Sequence, residues 1–240
     1  MNINENHQEE LKACLETKTS NSKTSDSVFF LYNYFLRCND TDLFNKMIVR
    51  NNILTEVIKK NLPGSYAEIG IMKGAFSFQI MKTLLLHNIE KNFYIFDFFE
   101  DEINIINKNE ENQIKEMYER TNYTRFSVNE IIQCAQNINF NNLNCIKGNI
   151  ELTIPEFLEH NNDRFCFVYI DIDVEKPTLL ALEYFWNRLV SGGIIILDDY
   201  NSKKWGPFYN IDIFLKNNIN DLEYSNLDNK IKEGLIIRKL

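Results

Sequence analysis

The sequence predicts an α/β protein: a doubly wound, mostly parallel sheet of seven strands, preceded by an N-terminal helical extension. Two apolar runs carry the first observation, F-C-F-V-Y-I at Phe165–Ile170 and I-I-I-L at Ile194–Leu197, with a helical stretch between them. Such runs, rich in Ile, Val and Phe, read as strands buried on both faces of a parallel sheet. The second observation is alternation, since strand and helix segments follow one another and two strand segments close the chain, adding an antiparallel edge. The third is that each of the two runs ends in a pair of acids, Asp171 with Asp173 and Asp198 with Asp199. Ligands of these sheets bind beyond the carboxyl ends of the strands. Four carboxylates gathered there predict a bound cation or a raised pKa.

Each element follows from local signals. Residues Met1–Ser27 are polar and read as an arm, and Ser27 is placed to cap a helix over Val28–Arg37. A second helix runs from Asp42 to about Lys60, capped by Asp40 or Thr41 and ended by Pro63-Gly64. These helices are candidates for a lid or for contact with a second copy of the chain, so residues 1–61 are set apart from a main domain over 62–240. Tyr66–Ile69 forms the first strand, followed by G-I-M-K-G-A and a helix through about His87. Gly70 permits a tight turn, and Gly74 opens a helix whose N-terminus can face a ligand. A second strand, Phe93–Phe96, ends in Asp97, placed either to accept hydrogen bonds from ribose hydroxyls or to cap the next turn. The charged connection Glu100–Asn142 contains helices over Asn109–Arg120 and Val128–Gln136. A third strand at Asn144–Ile146 precedes a helix expected to start at Pro155 and end at His160. After the two runs of the opening come a polar loop, a helix over Tyr209–Asn217, and strands near Leu222–Tyr224 and Gly234–Arg238.

Composition narrows the partners. With 240 residues, 44% hydrophobic and 25% charged, the chain can bury a substantial core without staples. A formal charge of −8 argues against nucleic acid, whose phosphates need a basic face. No apolar run reaches the roughly 20 residues that cross a bilayer, and the N-terminus has neither the basic start nor the apolar segment of a signal peptide. A cytoplasmic location is expected. The five cysteines (Cys14, Cys38, Cys134, Cys145, Cys166) have no metal-site spacing and read as reduced, structural thiols. His7, His87 and His160 are isolated and read as surface or packing residues.

From about Met47 to Lys239 the chain resembles S-adenosylmethionine-dependent methyltransferases of the Rossmann-like class. Within them it resembles the macrocin O-methyltransferase-like family, which methylates sugar hydroxyls. Five pieces carry the resemblance in the family's order: M-I-V-R-N-N leading to L-P-G-S-Y-A-E-I-G-I-M-K-G-A, then Y-I-F-D-F-F-E, K-G-N-I-E-L-T-I-P, I-D-I-D…P-T and S-G-G-I-I-I-L-D-D-Y. The resemblance implies that Glu68, Gly70 and Gly74 form the turn cradling the methionine part of the methyl donor and that Asp97 holds its ribose. It implies further that Asp171, Asp198 and Asp199 bind a metal, usually magnesium, and that Asp173 is the general base. Two departures stand out: the family's W-R-G-G turn is M-K-G-A here, and its D-G-D-L-Y-E-S-T is D-I-D-V-E-K-P-T, which loses the Tyr, moves the Glu to position 175 and touches the acceptor side.

The chemistry fits that implication. The methyl group of a sulfonium is already activated, so positioning supplies much of the catalysis. A neutral sugar hydroxyl is a poor nucleophile near pH 7, and a hard cation with a nearby carboxylate base corrects that. Asp171 and Asp173, two apart in an extended segment, would face one acceptor. Three other readings compete. Phe98, Phe99, Trp205 and Phe208 would suit a phenolic or other small hydroxylated acceptor. An NAD-dependent oxidoreductase shares the sheet and the ribose acid, but it lacks the G-x-G-x-x-G spacing and has no use for four acids. A non-catalytic methyltransferase-like scaffold is the third.

Overall fold

The computed structural model describes residues 41–72, 74–99, 108–109, 111–112, 115–116, 126–201, 208–227 and 233–240. The expected arm, the helix over Val28–Arg37, most of the helix over Asn109–Arg120, Cys14, Cys38, His7 and Trp205 lie outside the described residues. In chain order the elements are α1 (Thr41–Lys59), β1 (Ser65–Ile69), α2 (Ala75–Leu86), β2 (Phe93–Asp97), α3 (Val128–Asn137), β3 (Leu143–Lys147) and α4 (Ile150–His160). They continue with β4 (Phe165–Ile170), α5 (Glu175–Arg188), β5 (Leu189–Leu197), α6 (Tyr209–Asn217), β6 (Leu222–Asn226) and β7 (Leu235–Lys239).

The strands form one seven-stranded sheet in the order β3-β2-β1-β4-β5-β7-β6. β1 to β5 run parallel, and β7 pairs antiparallel with both β5 and β6. This is the expected doubly wound sheet with an antiparallel edge. Side-chain alternation divides it into two buried faces. Tyr66, Phe93, Ile95, Phe167, Tyr169, Ile194 and Ile196 face one core with residues of α1, α2 and α3. Ala67, Ile69, Phe96, Val168, Ile170, Ile195 and Leu197 face the other with residues of α4, α5 and α6. Cover on both sides explains why the central strands read as unbroken apolar runs. Edge-to-face rings lock the second layer, as where Phe165 and Phe185 meet at 4.9 Å and 85°.

α1 packs directly on the sheet, with Leu54 and Val57 wholly buried. At the amino ends of the strands Asp163 accepts hydrogen bonds from Ser65 Oγ at 2.8 Å and Tyr94 Oη at 2.7 Å, tying β1 and β2 to the approach of β4. Ligands of such sheets bind at the opposite, carboxyl edge. α4 differs from expectation: it begins at Ile150, not Pro155, with Asn149 accepting from the Glu151 N–H at 2.9 Å. Proline at a helix interior lacks an N–H donor, yet Ile150 and Ile154 are buried in the core and hold the earlier turn against the sheet. Cys166 is buried in the core and Cys134, Cys145 and Cys166 are free thiols, while His87 and His160 are exposed.

Candidate active site

Strand register builds the site. Phe96 pairs with Ile69, Ile69 with Ile170, and Ile170 with Leu197, a straight row at the carboxyl edge. One residue further along each strand, the row becomes Asp97, Gly70, Asp171 and Asp198. Backbone hydrogen bonds hold this second row: Gly70 N–H to Phe96 O at 2.8 Å, Asp171 N–H to Ile69 O at 2.9 Å, and Asp198 N–H to Ile170 O at 3.0 Å. Two loops of a doubly wound sheet part at this place, where its ligands bind.

Gly70 has φ +82°, and a β-carbon there would lie 2.0 Å from the carbonyl oxygen of Asp171. Only glycine lets β1 and β4 approach so closely at their ends. Gly74, at φ +67°, precedes α2 and closes the turn with an N–H to Ile71 O bond of 2.7 Å. The first N–H groups of α2, which a helix leaves without intrahelical partners, therefore lie at the end of this turn. Glu68 is 1% exposed on the face of β1 that meets α2, where Ser77 Oγ donates to its Oε2 at 2.5 Å. Burial pushes the Glu68 carboxyl up to about 8, the Ser77 hydrogen bond only partly offsetting it. Asp97 accepts from the Ile71 N–H at 2.7 Å through Oδ2 and from the Phe99 N–H at 2.7 Å through Oδ1. It thus caps the turn that follows β1.

Carboxylate oxygens of Asp171, Asp198 and Asp199 all lie within 4.8 Å of one another. Burial, then the charges of Asp198 and Asp199, push the Asp171 carboxyl well above its usual range, and Tyr169 Oη donates to it at 3.1 Å. Burial, followed by Asp173 and Asp198, pushes Asp199 up to about 7. Asp198 goes the other way: burial would raise it, but Arg50 and Lys46 outweigh burial and hold it below the ordinary carboxylate value. Two strained carboxylates and an all-oxygen donor set suit a hard cation such as magnesium. Asp173 joins them by a different route from the one expected. Its φ is +69°, so Asp171–Asp173 is a turn, not an extended segment, and two-residue alternation does not apply. The Asp173 N–H instead donates to Asp199 Oδ2 at 2.9 Å, which brings both acid pairs together.

Residues 45–220 match the family model described as Macrocin-O-methyltransferase (TylF). The chain belongs to the macrocin O-methyltransferase family. It is an S-adenosylmethionine-dependent O-methyltransferase. No curated protein sequence matches the chain significantly. Among solved structures, the O-methyltransferase NovP has a TM-score of 0.64 at 17% identity, over 80% of each chain. CalS11, a TDP-rhamnose 3'-O-methyltransferase of calicheamicin biosynthesis, has a TM-score of 0.59 at 18% identity, over 98% of this chain and 93% of that one. An O-methyltransferase from Bacillus cereus in complex with SAH has a TM-score of 0.54 at 11% identity, over 97% of each chain. At these identities the likeness is one of fold.

Sequence reasoning missed two residues of this macrocin O-methyltransferase family member, Lys46 and Arg50 on α1. Arg50 Nη2 donates to Asp198 Oδ1, and Lys46 Nζ stands 3.6 Å from Oδ2. The signal was present: Arg50, Ile53, Leu54 and Val57 fall on one helical face, so a cation interrupts a buried stripe. The aromatic residues expected at an acceptor pocket are placed differently. Phe99 and Phe208 are buried in the two cores, and among the described residues of that set only Phe98, half-buried beside Asp97, lies outside them. Glu175, shifted relative to the family pattern, accepts from the Asn210 backbone N–H and from its Nδ2 at 3.2 Å, joining the starts of α5 and α6. Among the described residues no helix is long and apolar enough to cross a membrane.

Proposed function

We propose that the protein transfers the methyl group of S-adenosylmethionine to a hydroxyl of a small sugar-containing acceptor, with Asp173 as base and a divalent cation at Asp171, Asp198 and Asp199. The observation that carries this reading is the meeting of those three carboxylates within 4.8 Å, one strand away from the glycine turn. Family membership, and the TDP-rhamnose on which CalS11 acts, favour a sugar over other hydroxyl compounds. Gly70 and Gly74 shape the turn that cradles the methionine part of the donor, with Glu68 bracing the turn through Ser77. Asp97, at the end of β2, accepts from the ribose hydroxyls of the donor. Asp171, Asp198 and Asp199 would hold a cation such as Mg2+, which when bound would supply Lewis-acid activation of the acceptor hydroxyl. Asp173 takes the hydroxyl proton as the oxygen attacks the methyl carbon; the new O–C bond forms as the S–C bond breaks, and S-adenosylhomocysteine leaves. Residues 62–240 are read as the methyltransferase domain of a cytoplasmic enzyme, with α1 docked on it.

An acceptor screen with isotope-labelled methyl donor tests the reading, run beside Asp173→Asn and a chelator titration. Label is expected on sugar hydroxyls, turnover is expected to fall on the order of 100-fold in D173N with donor affinity kept, and chelator is expected to stop the reaction until magnesium is restored. Full turnover in D173N sinks the base assignment. Activity indifferent to chelator sinks the cation.

A further inference from the structure

Asp198 is already engaged. Arg50 and Lys46 stand four residues apart on α1, hence on one face, and both address this single carboxylate. Arg50 is 5% exposed, and its guanidinium lies over the rings of Tyr169 at 4.8 Å and Phe76 at 5.6 Å. Its Nε finds no hydrogen-bond acceptor among the described residues. A guanidinium has five donors in a fixed fork, and here a carboxylate on one side and two ring faces do most of the holding. The rings remain in place if Asp198 turns toward another cation, so the pairing is replaceable without stranding the arginine. Crowding three carboxylates costs repulsion, and the chain meets that cost with its own positive charge.

We propose that Arg50, seconded by Lys46, is a built-in counter-cation that competes with a divalent ion for Asp198 and so sets the affinity at which the acid cluster takes metal. The proposal rests on the cation reading above. With both basic residues in place the cluster is balanced well enough to fold without metal. A divalent ion then binds against their repulsion and must draw Asp198 away from them. Removing one positive charge a few ångströms from a divalent ion, at an effective dielectric near 20, strengthens cation binding by about tenfold or more.

The test is calorimetric titration of the full chain with Mn2+ or Mg2+, paired with melting curves of the metal-free protein. Arg50→Met is expected to tighten the cation at least tenfold and to lower the metal-free melting temperature by several degrees, because a buried carboxylate loses its partner. The double variant R50M/D198N is expected to recover most of that loss. Lys46→Met, at a side chain 24% exposed, guards against a misfolded R50M: it is expected to tighten the cation about two- to fivefold with little change in melting. Weaker cation binding in either variant overturns the proposal, since it would make the basic pair an aid to metal binding. If wild type and both variants bind no cation, the metal reading and the competition fall together. The melting curves tell that case apart, because R50M rescued by D198N still identifies the buried ion pair.

Discussion

Replacing Glu68 with glutamine should make the protein more stable, and increasingly so as pH rises. The wild-type carboxyl is raised from 4.5 to about 8 by burial. Above pH 4.5 the unfolded chain releases this proton while the folded chain keeps it. Stability therefore falls with increasing pH through this window and levels off near pH 8. Each pH unit of mismatch costs about 1.4 kcal/mol, so the contribution reaches on the order of 3 kcal/mol by pH 7. Glutamine matches the side chain in size and still accepts from Ser77, but it has no proton to lose. For a chain of this length about 3 kcal/mol corresponds to roughly 6–10 °C in melting temperature. Thermal or urea denaturation of both proteins from pH 5 to pH 8.5 provides the assay. Asp171 and Asp199 are present in both, so their own pH dependence largely cancels in the difference. Melting temperatures that coincide near pH 5 and separate toward pH 8 are expected. Parallel curves across the whole range would refute the argument that Glu68 is buried uncharged.

Gly70→Ala should lose more than about 3 kcal/mol of stability and most donor affinity, because the added carbon meets the Asp171 carbonyl at 2.0 Å in a left-handed backbone; a melting temperature within a degree or two of wild type would contradict this. S-adenosylhomocysteine, and not NAD, should raise the melting temperature by mass action, and a shift with NAD alone would revive the oxidoreductase reading. Asp97→Ala leaves the Ile71 and Phe99 N–H groups without their acceptor, so it should cost about 1–3 kcal/mol of stability together with donor binding. Unchanged S-adenosylhomocysteine affinity in that variant would separate Asp97 from the ribose.

The sheet was legible because its central strands are covered on both faces, so Phe165–Ile170 and Ile194–Leu197 carry an unbroken apolar signal that needs no periodicity. The helix over Tyr209–Asn217 was equally plain. α4 was misplaced because Pro155 is a strong local start signal, whereas the deciding term is burial of Ile150 and Ile154 against a sheet that the local sequence does not display. The acids were found from their positions at strand ends. Their grouping was only half read: Asp173 reaches Asp199 through a left-handed turn, and local alternation cannot foretell such a turn at a non-glycine residue. Arg50 was hidden by distance, 148 residues before its partner in the chain. A single sequence gives its clue, a cation in an apolar stripe, but not the carboxylate it answers.

The closeness of β1 and β4 at Gly70 bears on how such enzymes can be altered. The glycine turn and the first acid of the cluster meet through main chain, with no side chain between them to absorb an adjustment. A new loop grafted after β4 would therefore press on the glycine turn, the proposed seat of the methyl donor, as soon as its first residue shifted. Specificity is more safely redrawn at side chains away from this main-chain contact, such as Phe98 after β2. For this fold the backbone at Asp171 is a fixed boundary that donor and acceptor chemistry share.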